Sequence, residues 1–171
     1  SDEGDVMDDF SRMGANVNAF TSYNETCYYF TTSHGDLKEP LNLLIDFVQD
    51  LRITEESVEK EKGIINQELK MYLQMPDSRL IFETFKALYH KHPLNRDIGG
   101  DEKSVNATTR QLLEDCYKLN YHPSRMTLIV AGPQKPQTLL EWIEENQKAK
   151  SFEPVKDVGR YLEEEPETVV S

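Results

Sequence analysis

The sequence predicts an α+β fold, on three observations. Apolar residues recur at helical spacing in successive blocks from residue 40 onward. Two runs near the start, Asn16–Ser22 and Thr26–Thr32, are rich in β-branched and aromatic residues and are separated by a short polar segment. The strand-like and helix-like segments come in blocks rather than in strict alternation, which favours α+β over a doubly wound sheet.

Taken in order, Val6, Met7, Phe10 and Met13 give a short amphipathic helix over Asp5–Met13, stopped by Gly14. The two β-rich runs form an antiparallel hairpin turning at Tyr23-Asn24-Glu25. From Pro40, the residues Leu41, Leu44, Ile45, Val48 and Leu51 mark a helix. Thr54 has the chemistry of an N-cap, with Ser57 where a capping box holds its second partner, and a long helix runs to about Leu73 before Pro76-Asp77 breaks it. Ile81, Phe82, Phe85, Leu88 and Tyr89 stripe the next helix, and a loop with His92-Pro93 and Gly99-Gly100 follows. Thr108 or Thr109 starts a helix with Leu112, Leu113, Cys116 and Tyr117 on its core side, ended by His122-Pro123. Met126–Ala131 reads as a buried strand, and Thr138 to about Lys150 as a last helix around Leu139, Leu140, Trp142 and Ile143. Residues 1–150 make one domain, and 151–171, with Glu163-Glu164-Glu165-Pro166-Glu167, an acidic linker or arm.

Composition narrows the function. The 171 residues carry 19 Lys+Arg against 31 Asp+Glu, a net charge of −12, which repels a phosphate backbone and argues against nucleic-acid binding. No stretch approaches the ~20 apolar residues that span a bilayer, and no basic run suits an anionic membrane surface. The mean hydropathy is low, at −0.65, but 9% aromatics and the apolar periodicity argue against disorder. Cys27 and Cys116 form neither a CxxC nor a disulfide framework, so both are expected as packed thiols in a reducing cytoplasm.

The helix over 58–73 carries the chemistry. At about 100° per residue, Val58, Ile65, Leu69, Tyr72 and Leu73 share one side, with Ile64 and Met71 at its edge. Glu61 and Glu68, two turns apart, fall inside this apolar sector rather than on the polar face. A carboxylate buried there needs a cation, a set of donors or a metal, or else takes up a proton. An ion pair or an arc that ends at these residues satisfies that need, and so does a metal ligand or an acid–base group. His90 and His92 lack the spacing that aligns two ligands on a helix, and His34 and His122 sit at element ends. No Gly-x-Ser-x-Gly, phosphate-cradling loop or EF-hand is present.

Three segments together resemble a known family. Gly14-Ala15-Asn16-Val17-Asn18-Ala19-Phe20-Thr21-Ser22 with Thr26–Phe30 is similar to the Asn-Ala-aromatic-Thr strand and hairpin of the pitrilysin-type (inverzincin) zinc peptidases, which include insulysin and the mitochondrial processing peptidases. The segment from Val58 to Glu68 resembles their ligand helix. His92-Pro93, Gly99-Gly100 and Tyr121–Met126 follow in the family order, and the likeness leans to the bacterial processing-peptidase-like branch.

The resemblance implies one half-module of the processing-peptidase-like metallohydrolase fold, a sheet packed with helices. It implies a zinc-dependent endopeptidase acting on a peptide or protein, with Glu68 as a metal ligand and Glu61 hydrogen-bonded behind a metal-bound histidine. It also implies that Asn18, Ala19, Phe20 and Thr21 form the strand edge to which substrate adds. The family's His-x-x-Glu-His motif, which brings two zinc ligands and the general base, is absent. The expectation is therefore a piece beginning just after that motif, without a catalytic residue of its own and inactive alone. Its apolar face and sheet edge would be left exposed, and it would be completed by a second homologous half, a partner subunit or another copy of itself. A non-catalytic peptide-binding or scaffolding subunit is the alternative, and a helical adaptor a more distant one.

Overall fold

The computed structural model describes residues 3–33 and 35–155, which divide into two units: residues up to Arg52 together with 114–155, and residues Ile53–Leu113. In the first unit, helix α1 (Glu3–Arg12) places Val6 and Phe10 one turn apart on one face, and both are buried. Gly14, at φ 69°, adopts the left-handed turn that ends such a helix and sends the chain into strand β1 (Ala15–Thr21). Strand β2 (Thr26–Thr32) pairs antiparallel to it from Ala15 opposite Thr32 to Thr21 opposite Thr26. Ala15, Val17 and Phe30 point toward the helices, as the period of two requires. Helix α2 (Lys38–Gln49) closes the core with Leu44, and the Phe10 and Phe30 ring centroids lie 5.7 Å apart.

The same unit holds helix α7 (Pro136–Lys148), whose Leu139 is buried and whose first residue is proline, where a missing N–H costs nothing. A polar seam fastens it to α2. Gln49 and Gln147 exchange side-chain amide hydrogen bonds of 3.0 and 2.9 Å, and Lys150 donates to Gln49 at 2.9 Å and pairs with Asp46 at 2.6 Å.

In the second unit, helix α3 (Glu55–Leu73) opens on the expected capping box. Thr54 Oγ1 accepts from Ser57 N at 3.0 Å, and Ser57 Oγ accepts from Thr54 N at 2.9 Å. Helix α4 (Pro76–Leu88) starts at the proline that ends α3. The glycine loop contains a helix the sequence reading passed over, α5 (Glu102–Ala107), opened by an equivalent Asp101–Ser104 box. The loop lies close to α3 at Gly99, where a Cβ would sit 2.9 Å from Leu69 Cδ2 and would push that side chain aside. Gly100, at φ 78°, makes the turn into α5.

Helix α6 (Arg110–Asn120) follows Thr109, whose hydroxyl accepts from Leu112 N at 3.2 Å. Some of the remaining expectations need correction. Leu112, Leu113 and Cys116 are exposed, and only Tyr117 of the expected core side is half-buried, so Cys116 is not a packed thiol; Cys27 is half-buried. Met126–Ala131 is not a strand. No strand pairs with it among the described residues, and Ile129 is 87% exposed. Helix α2 ends at Gln49, leaving Leu51 outside it. The expected acidic arm lies outside the described residues from residue 156 onward.

Candidate functional site

Two features bear on function, one in each unit. The first is α3. Glu61 and Glu68 do stand two turns apart on one side of it, but they are exposed, not core-facing. The buried line of α3 runs through Val58, with Ile65 and Leu69 half-buried, about a quarter-turn from the carboxylates. Around the glutamates the apolar stripe continues outward, with Ile64, Met71 and Tyr72 at 41%, 51% and 50% exposure. The sequence periodicity marked the full width of the stripe. The described residues cover only the half that meets α4 and α5.

Neither glutamate makes a hydrogen bond or ion pair among the described residues, and no three His, Cys, Asp or Glu side chains gather there as a metal centre would need. A carboxylate oxygen is a sound zinc donor, but one donor does not make a site. A zinc site built on Glu68 takes further donors. His92, after α4, and His122, after α6, serve the backbone instead. His92 Nδ1 accepts from Leu94 N at 3.2 Å, and His122 Nδ1 from Ser124 N at 3.2 Å, each opening a short 3₁₀ turn at a His-Pro step. That repeated His-Pro pair was the available signal for a capping role.

The second feature is the outer edge of β1. Ser22 N donates to Glu25 O at 2.8 Å, so these two form a hydrogen-bonded pair at the hairpin end. Alternation along an antiparallel ladder then makes Ala19–Tyr28 a pair without backbone hydrogen bonds. The Ala19 N–H and C=O therefore point away from β2. Consistent with this, the Ala19 N–H donates to the Asn18 side-chain Oδ1 at 2.8 Å. No further strand pairs with β1 among the described residues.

The edge is held from behind. Tyr28, opposite Ala19, shares a hydroxyl–hydroxyl hydrogen bond of 3.0 Å with Tyr121, which stacks on Tyr117 at 4.7 Å. The Tyr117 hydroxyl donates to Val48 O at 2.6 Å, and burial, reinforced by Asp50 and Tyr121, pushes its pKa up to about 12. Beside the edge, Val6, Met7, Ala19, Tyr28 and Phe47 line an apolar hollow of about 200 Å³. Phe20 lies on the opposite face, edge-on to Tyr29 at 6.3 Å, and Thr21 contacts Thr26 through its hydroxyl at 3.3 Å. Asn18, Ala19, Phe20 and Thr21 are all exposed.

Residues 1–102 match the insulinase family, peptidase family M16, and residues 107–170 match the inactive domain of the same family. The chain is 43% identical over 167 residues to the uncharacterised zinc protease YmfH of Bacillus subtilis, covering 98% of this chain and 39% of that protein. An Arabidopsis thaliana protein named for the beta subunit of the mitochondrial processing peptidase is 25% identical over 138 residues, covering 81% and 26%. Among solved structures, an M16-like peptidase from Alicyclobacillus acidocaldarius superposes with a TM-score of 0.86 at 43% identity, over 91% of this chain and 36% of that one. The chain thus spans at most 39% of these relatives.

Proposed function

The chain belongs to the insulinase family of peptidases, family M16, and on that premise we propose that it is part of a zinc-dependent endopeptidase. The observation that carries this reading is the placement of Glu61 and Glu68 on one exposed side of α3, within an apolar stripe that α4 and α5 leave uncovered. A second helix packed on that stripe would bury both carboxylates, and buried carboxylates require a cation. Glu68 contributes one zinc ligand, Glu61 orients a ligand imidazole, and the other ligands and the general base come from outside the described residues. The outer edge of β1, at Asn18–Thr21, takes an extended peptide or protein segment as an added strand. A second homologous half or a partner subunit completes the enzyme, and the 171 residues alone are inactive.

The match of residues 107–170 to the family's inactive domain supports a second reading, a non-catalytic peptide-binding subunit. The presence of both carboxylates on α3 favours the catalytic one.

Metal analysis of the intact protein separates them. Glu68→Gln is expected to lose most of the zinc. Glu61→Gln should keep more of it and lose about 10–100-fold in activity, as hydrogen-bond partners of ligands typically do. Equal zinc content in wild type and Glu68→Gln would overturn the ligand assignment.

A further inference from the structure

We propose that Asn18 is a self-cap on the peptide-binding edge: its carboxamide occupies the Ala19 N–H, which an incoming peptide carbonyl needs, and must swing away before a strand can add. The inference rests on the reading of β1 as the substrate edge and adds a regulatory element to it. The Ala19 N–H is directed outward by the ladder phase, yet it is not left for solvent, because Asn18 Oδ1 accepts from it at 2.8 Å. An edge N–H offered permanently would be a template for any extended chain, and proteins blunt such edges. Here the blunting group is a side chain on the same strand, one residue away, that competes for one donor. Being exposed, Asn18 has room to rotate off the donor. Its amide oxygen matches a peptide carbonyl in kind, so the exchange replaces one neutral hydrogen bond with another of the same type. Adventitious pairing then loses part of its gain, whereas a substrate with further contacts displaces the cap.

The self-cap predicts a sign opposite to that of an ordinary contact residue. If Asn18 only gripped substrate, removing it would weaken binding. If it caps the edge, removing it strengthens binding. The test uses the intact protein and a fluorescein-labelled, end-blocked hexapeptide of alternating alanine and valine, followed by fluorescence anisotropy. Asn18→Ala and Asn18→Leu are expected to tighten binding by about two- to tenfold, the range of one net hydrogen bond. Asn18→Asp, with a charged acceptor, is expected to weaken it. In the free protein, amide exchange at Ala19 should speed up in Asn18→Ala. Weaker or unchanged binding in the Ala and Leu variants, or unchanged Ala19 exchange, overturns the self-cap while leaving the edge in place. Absence of peptide binding in wild type and all variants overturns the edge itself and the self-cap with it.

Discussion

Ala19 faces Tyr28 across the hairpin in a pair that exchanges no backbone hydrogen bonds, so the alanine turns its N–H and C=O outward while the tyrosine is tied to Tyr121 behind it. Strand addition requires this arrangement of an outward donor on a braced strand.

Ala19→Pro in the intact protein should therefore weaken peptide binding without unfolding the hairpin. Proline deletes the outward donor but no ladder hydrogen bond, and proline is tolerated on an edge. The preceding Asn18 is already in a strand, the region a residue before proline prefers. Peptide affinity read by anisotropy should fall by about two- to tenfold, with zinc content unchanged. Full affinity in a folded Ala19→Pro protein would remove β1 as the substrate edge.

The long helix of the second unit depends on its first turn. Thr54→Ala removes the acceptor for Ser57 N and should destabilise the protein by about 1 kcal/mol, within the usual range for a lost cap. Thr54→Ser, which keeps the hydroxyl, should recover most of that in urea unfolding. An unchanged urea midpoint in Thr54→Ala would show that α3 stability comes from packing alone.

The pattern of success and failure in reading the sequence has a physical cause. Local chemistry was legible: the Thr54–Ser57 box, the Gly14 stop, the break before Pro76 and the hairpin all appear where short-range rules put them. What depended on a neighbour was not. Met126–Ala131 has a strand's composition but no partner strand among the described residues. Leu112 and Leu113 have a core helix's spacing, yet they face solvent. Glu61 and Glu68 lie within the apolar sector as periodicity said, but burial is a property of what packs on a face, and the described residues leave this half of the stripe uncovered. Helix α5 escaped notice because it is six residues long, too short for apolar periodicity. Its Asp101-x-x-Ser104 box was the signal to use.

The 171-residue polypeptide on its own should hold far less than one zinc per chain after dialysis. No three His, Cys, Asp or Glu side chains gather among the described residues, and two of the four histidines, His92 and His122, already accept backbone N–H groups at Nδ1. A stable site needs three protein ligands converging on one point. Stoichiometric, dialysis-resistant zinc measured by atomic absorption would reveal a metal site other than the one proposed.

Tyr117 donates its hydroxyl to Val48 O from a partly buried position beside Tyr121, and burial holds its proton up to about 12. In the unfolded chain the same phenol ionises near 10. Below about 10 both states carry the proton, and the contribution to stability is complete. Between about 10 and 12 the unfolded state releases the proton while the folded state keeps it, so stability falls as pH rises. Tyr117→Phe should cost about 1 kcal/mol at neutral pH through the lost hydrogen bond. It should also show a shallower loss across the alkaline window, so that the two proteins converge as the phenol advantage disappears. Urea midpoints collected across that window for both proteins read the difference directly, and the common titration of the other tyrosines cancels in the comparison. A gap between wild type and Tyr117→Phe that stays constant through the window would show that the phenol is not held neutral by the fold. The packing behind β2 would then rest on the ring stack alone.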